Sequence, residues 1–239
     1  MPLPFASQII RRARLCHLPA ALLTILCTII ALLGASPPAA ATDRPASPIR
    51  IIAFGDSLTA GFRLAPADAF PIKLERFLKA KGLPVAIANA GVSGDTTAAG
   101  LERLDWAVPD GTDIVILELG ANDALRGIDP ATTRHNLDRL ITRITAKGAA
   151  VLLAGMRAPR NYGSTFAKRF DAIFPALADK HKVMLYPFFL EGVALDPALN
   201  LDDGLHPNAR GIDVIVRSIA PAIEQLIRTR TGKKQGSRG

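Results

Sequence analysis

The sequence predicts a three-layer α/β/α domain built on a five-stranded parallel sheet. Three observations carry that expectation. Five short runs rich in β-branched and aliphatic residues alternate with five longer helical stretches, the order that gives parallel strands joined by crossover helices. The runs are continuously apolar rather than alternating, as strands covered on both faces must be. Clusters of glycine and polar residues fall just past the carboxyl ends of the runs, the edge at which open parallel sheets bind ligands.

Ahead of the first run, residues 1–41 read as a signal peptide. Arg11, Arg12 and Arg14 give a positive start, Leu18 to Ala35 an apolar stretch, and Pro37-Pro38-Ala39-Ala40-Ala41 the small residues of a cleavage site, with the cut expected after Ala41. An uncleaved anchor is the alternative, because about 18 apolar residues is near the minimum that spans a bilayer. Pro19 and the alanine-rich exit favour cleavage. Arg11-Arg12 raises twin-arginine export, which the flanking residues fit poorly, and Cys27 raises lipidation, against which Leu26 stands where a small residue is wanted. The released chain is expected in the periplasm or outside the cell, without stable membrane insertion. Both cysteines, Cys16 and Cys27, lie in this leader. The mature chain then has neither a disulfide nor a thiol nucleophile and depends on its packed core.

The formal charge of +8 misleads about partners. Three arginines belong to the leader, and Arg228, Arg230, Lys233, Lys234 and Arg238 to a tail without acids; what remains is 21 basic against 21 acidic residues. A neutral body argues against nucleic acid as the partner. The tail, 228–239, is expected to be a solvated, disordered end.

Within the domain, expected over 49–227, each element has its own signal. Thr42–Pro48, rich in Pro, Ala and Ser, is a linker. The expected strands are Ile49–Phe54, Val85–Ala90, Asp113–Leu119, Ala150–Gly155 and Val183–Tyr186. The expected helices are Phe70–Lys81, Thr96–Trp106, Pro130–Lys147, Thr165–His181 and Pro207–Ile227. Leu137, Leu140, Ile141 and Ile144 recur at three- and four-residue steps and mark one buried face. Gly82 and Gly148 stand just past helix ends, where a left-handed cap is wanted.

Four of the strand ends carry chemistry. They are Phe54-Gly55-Asp56-Ser57-Leu58-Thr59-Ala60-Gly61, Asn89-Ala90-Gly91-Val92-Ser93-Gly94-Asp95-Thr96, Glu118-Leu119-Gly120-Ala121-Asn122-Asp123 and Asp202-Asp203-Gly204-Leu205-His206-Pro207. In order, Gly55-Asp56-Ser57-Leu58, Gly94, Gly120-Ala121-Asn122-Asp123 and Asp203-Gly204-Leu205-His206 resemble the blocks of the SGNH (GDSL) hydrolase superfamily. Asn122-Asp123-Ala124-Leu125-Arg126-Gly127, Asn161-Tyr162-Gly163 and Pro187-Phe188-Phe189 look like its bacterial periplasmic thioesterase I / arylesterase branch. The similarity runs from about Arg50 to Ile227. It departs at Ala121, where relatives often have Gly.

The resemblance implies a flavodoxin-like strand order, 2-1-3-4-5, and acyl transfer to Ser57 without cofactor or metal. The residues supply the physical reasons. A lone serine hydroxyl is a poor nucleophile and needs a base. Of the histidines past the leader, His135 and His181 fall within helices, and His206 lies in the loop cluster. Asp203, three residues earlier, suits the Nδ1 side of that imidazole, with Asp202 the alternative. The resemblance also implies an oxyanion hole of the Ser57 N–H, the Gly94 N–H and the Asn122 amide. Asp56 and Asp123 are expected to bond locally to loop backbone. Leu125, Ile128 and Tyr162 are expected to line an acyl groove. Implied substrates are small-molecule acyl thioesters, aryl esters and lysophospholipids. Two rivals stay open: a deacetylase of carbohydrate, for which one Trp and two Tyr supply few stacking rings, and a non-catalytic binding protein of the same fold.

Overall fold

The computed structural model describes residues 47–236. The expected leader and most of the expected linker lie outside them. Five strands, β1 (Ile49–Gly55), β2 (Val85–Gly91), β3 (Ile114–Glu118), β4 (Ala150–Ala154) and β5 (Met184–Tyr186), form one sheet. All pairings are parallel and the order is β2-β1-β3-β4-β5. Burial follows that order. Every residue of β3 is buried, whereas the edge strand β2 has exposed positions and β5 is only half-buried.

The helices are α1 (Ser57–Ala60), α2 (Phe70–Ala80), α3 (Thr97–Ala107), α4 (Ala121–Leu125), α5 (Pro130–Ala146), α6 (Ser164–Asp171), α7 (Ile173–His181) and α8 (Ala209–Gly236). α2 packs on α8 in one layer; α3 packs on α5 and α5 on α7 in the other. Ile51, Phe54, Ile114, Ile116 and Leu117 fill the core beside Phe70, Phe170, Phe174 and Phe189. The α/β/α sandwich expected from the alternation is the fold.

Three elements differ from the sequence reading, each for a local reason. The single helix expected over 165–181 is two, meeting at Ala172. Pro175 lacks an N–H, so the carbonyl of Asp171 has no partner one turn on and the helix breaks there. The last helix starts at Ala209, not Pro207, because Asn208 caps it: its Oδ1 accepts the N–H groups of Arg210 at 3.0 Å and Gly211 at 3.1 Å. The same helix does not stop at Ile227 but runs to Gly236, so the expectation of a disordered tail is corrected for 228–236, and 237–239 lie outside the described residues. Arg, Lys and Gln are good helix formers, and the Arg230 guanidinium reaches the Gly148 carbonyl at 2.8 Å, fastening this turn to the end of α5.

Candidate active site

β1 brings Gly55 to the carboxyl edge of the sheet, and Asp56 caps α1 by accepting the Leu58 N–H on Oδ1 at 3.0 Å. Ser57 is the first residue of that helix, so its own N–H has no intrahelical acceptor. It has none among the described residues either. The glycine before this turn is a steric requirement. A Cβ on Gly55 would lie 2.6 Å from the Glu118 carbonyl oxygen and closer still to the side chains of Thr59 and Glu118.

His206 arrives from the loop between β5 and α8. Its Nε2 is 2.9 Å from Ser57 Oγ, and its Nδ1 is 2.8 Å from Asp203 Oδ2. A carboxylate can only accept, so Nδ1 carries the hydrogen and Nε2 is left as the acceptor for the serine hydroxyl. Asp203 Oδ1 also accepts the backbone N–H groups of Leu205 at 2.9 Å and His206 at 3.0 Å. Burial acts to raise the Asp203 carboxyl, but those two N–H groups and the imidazole outweigh it and hold it at about 2. The loop is closed at its neck by the Asn200–Pro207 bridge and by the Leu201 N–H on the His206 carbonyl at 2.7 Å. The Phe62 ring packs against the imidazole at a tilt of 37°, with centroids 4.5 Å apart. His135 is exposed on α5, and His181 pairs with Asp138. Asp203, not Asp202, faces the imidazole.

The remaining strand ends close around Ser57. Gly94 has a φ of +87°, a left-handed conformation that favours glycine. Its N–H has no acceptor among the described residues, and its carbonyl accepts from the Arg126 guanidinium at 2.8 Å. Asn122, in α4, donates its amide to Asp56 Oδ2 and to the Asp95 carbonyl, both at 3.0 Å. Asp123 does more than bond to its own loop. It accepts the Thr97 N–H at 2.8 Å and the Thr133 hydroxyl at 3.2 Å, tying α4 to α3 and α5. Buried Arg103 pairs with Asp95 at 2.5 Å and donates to the carbonyls of Ala90 and Gly55, both at 2.9 Å. One guanidinium thus pins the ends of β1 and β2 together.

Ser57 and His206 open onto a cleft of about 920 Å³. Leu125 lies on it, but Ile128 and Tyr162 are not among its walls. The Tyr162 hydroxyl donates to the Leu125 carbonyl at 2.8 Å, and its ring turns to Phe166, 5.2 Å away between centroids. Tyr162 therefore seats the loop after α4 with its ring turned from the cleft, and both Ile128 and Tyr162 stand outside the groove expected of them. Met156 and Pro159 after β4, and Phe188, Leu190 and Leu195 after β5, form the apolar wall instead. Leu195, 90% exposed, and Leu205, 50% exposed, stand at its rim. Among the described residues no three His, Cys, Asp or Glu side chains gather as a metal ion would need.

Residues 53–214 match the GDSL-like lipase/acylhydrolase family. An arylesterase of Vibrio mimicus is 40% identical over 172 residues, covering 72% of this chain and 86% of the relative. Thioesterase 1/protease 1/lysophospholipase L1 of Escherichia coli K12 is 37% identical over 187 residues, covering 78% and 88%. Among solved structures, AlinE4, an SGNH-hydrolase family esterase, superposes with a TM-score of 0.64 at 44% identity, over 75% of this chain and 96% of that one. TesA superposes with a TM-score of 0.71 at 34% identity, over 74% and 99%.

Proposed function

The chain belongs to the GDSL-like lipase/acylhydrolase family, and on that premise we propose that it hydrolyses carboxylic esters and thioesters through an acyl-enzyme on Ser57. One observation carries the reading: Ser57 Oγ, His206 and Asp203 stand in sequence at 2.9 Å and 2.8 Å at the mouth of an apolar cleft.

The His206 Nε2 takes the proton as Ser57 Oγ attacks the acyl carbon, and Asp203 stabilises the imidazolium without itself taking the proton. Charge then develops on the carbonyl oxygen. Two N–H groups without acceptors, those of Ser57 and Gly94, meet it together with the Asn122 amide, which shares a hydrogen now given to Asp56 or Asp95. His206 next returns its proton to the departing alcohol or thiol. Water, deprotonated by the same imidazole, releases the acid and restores Ser57. No step calls for a cofactor.

The acyl chain lies along Met156, Phe188 and Leu190, with Leu125 at the rim. Phe188 is the single aromatic carbon ring in that wall among the described residues, which favours acyl chains over acetylated carbohydrate. The substrate class follows the names of the relatives: aryl esters, acyl thioesters and lysophospholipids. The enzyme acts outside the cytoplasm. The leader pattern supports that location, and no helix among the described residues is long and apolar enough to cross a membrane.

The test is Ser57→Ala. Loss of the nucleophile lowers kcat on para-nitrophenyl esters by about 10³-fold or more while circular dichroism stays unchanged. A folded variant that keeps a tenth of wild-type kcat overturns the assignment.

A further inference from the structure

Two carboxyl groups beneath the nucleophile take no part in the steps above. Asp56 and Glu118 are both fully buried. Asp56 uses Oδ1 for the Leu58 N–H and Oδ2 for the Asn122 amide at 3.0 Å. One carboxyl group thereby fixes both the turn that carries Ser57 and the side chain that meets the oxyanion. Behind it, Glu118 Oε2 accepts the Thr59 hydroxyl at 2.7 Å and the Asp56 N–H at 3.3 Å. Glu118 Oε1 is buried and has no hydrogen-bond partner.

We propose that Asp56 is a positioning residue of the reaction, its carboxylate holding the Asn122 amide, and that the pair it forms with Glu118 carries a single negative charge. The inference rests on the reading that Asn122 meets the oxyanion.

The geometry places the charge on Asp56. Its Oδ2 faces an amide N–H, so a proton there would set donor against donor, whereas a carboxylate makes a charge-assisted bond. Glu118 is the opposite case. A buried carboxylate charge is costly, and Oε1, which faces no donor, can take a proton without setting donor against donor and so leave a neutral group. Burial, and then the charge of Asp56, push the Glu118 carboxyl well above the usual range.

Four groups face Asp56, and each bears on its titration. Glu118 comes from β3 and Asn122 from α4. His206 comes from the loop ahead of α8. Asp95 comes from the loop ahead of α3 and is paired with Arg103. Burial raises the Asp56 carboxyl to about 6. The Leu58 N–H, the Asn122 amide and His206 pull against that rise, and Asp95 adds to it. Hence catalysis requires two groups to be proton-free on the acid side, the His206 imidazole and the Asp56 carboxylate.

Two required ionisations steepen the acid limb of log kcat towards a slope of two, where one would give a slope of one. The experiment measures kcat for para-nitrophenyl butyrate between pH 4.5 and 8, wherever circular dichroism shows the wild-type fold. For the wild type the expected slope is near two. In Asp56→Asn the slope falls to one, and kcat at pH 8 drops by roughly tenfold to a hundredfold with KM little changed, as a misplaced donor does. In Glu118→Gln, which replaces a neutral acid by a neutral amide, the slope stays near two. A wild-type slope of one overturns the inference without any variant, so a failure of Asp56→Asn to fold leaves it testable. A slope of two kept by Asp56→Asn, or lost by Glu118→Gln, overturns it as well. Ser57→Ala separates the levels: if it is inactive while the slopes disagree, only the role of Asp56 fails, and if it is active, the proposed mechanism fails.

Discussion

Gly91→Ala is a remote change that should reach the proposed nucleophile, Ser57, through sterics alone. Gly91 ends β2 in ordinary backbone conformation, so adding a methyl group there brings no torsional strain. Its Cβ would nevertheless lie 2.7 Å from Ala60 Cα and 2.8 Å from the Thr59 carbonyl carbon, and closer still to the Ala60 nitrogen. Ordinary contact begins at 3.4 Å, so something must retreat by about 0.7 Å or more. The end of β2 is held by the Val92 N–H on the Gly55 carbonyl at 3.0 Å and by Arg103 on the Ala90 carbonyl at 2.9 Å. Opposite it stands α1, four residues long with Ser57 at its head. The shorter element yields, and Ser57 Oγ moves off the 2.9 Å line to His206. Misplacement by 1 Å can cost about 10²-fold, so kcat should fall roughly tenfold to a hundredfold with KM nearly constant. Overpacking costs about 1–3 kcal/mol, and in a domain of this size each kcal/mol lowers Tm by roughly 2–4 °C. Steady-state kinetics on para-nitrophenyl butyrate and a thermal melt measure both, with Gly232→Ala, which meets nothing within 4 Å, as the control. A lowered Tm with wild-type kcat would refute the reasoning, because the edge strand would then have absorbed the strain.

Met156→Ala should lower kcat/KM more on octanoyl than on acetyl esters, since each buried methylene contributes about 0.8 kcal/mol; Tyr162→Ala should lower Tm and leave the ratio of the two substrates unchanged, and the opposite pattern would return Tyr162 to the groove. A second expectation concerns stability. A carboxyl raised from 3.8 to about 6 binds its proton more tightly in the folded chain, so the Asp56 contribution to stability is lost as pH rises from about 4 to 6. That displacement corresponds to about 3 kcal/mol. Urea unfolding at pH 4 and pH 7 should show Asp56→Asn gaining on the wild type by that order, and parallel stabilities at the two pH values would contradict the assigned shift.

The sheet was legible because continuous apolar runs bounded by glycine leave few other readings, and the candidate triad because its residues sit at run ends. Two short helices were not legible. α1 and α4, four and five residues long, are too short for a 3.6-residue period to register, yet they carry Ser57 and Asn122. The groove was misread for a related reason. Ile128 and Tyr162 are near Asn122 or after β4 in the chain, but a hydroxyl seeking the Leu125 carbonyl turns Tyr162 away from the cleft. The apolar wall of the cleft comes from the segments after β4 and β5, where Met156, Pro159, Phe188, Leu190 and Leu195 carried no motif beyond an aromatic pair. Glu118 did leave a signal. A lone acid closing an apolar run from Ile114 to Leu117 is a charge placed inside the core, and its cost asks for an explanation.

Between Leu199 and Asn208 the bonds that orient the imidazole close within the loop, while the Asn200 and Asn208 amides tie it to the chain before it. The loop's neck bonds and the Asp203 side chain close within those residues, and the imidazole reaches out to the Ser57 hydroxyl and the Phe62 ring. Asp203 and His206 are therefore built as one part, and Ser57 as another. Movement between the two parts changes the Ser57 gap and the Phe62 contact and leaves the Asp203–His206 bond, and with it the tautomer, untouched. In engineering terms the tolerance that matters lies at one joint, the 2.9 Å fit between Ser57 and His206.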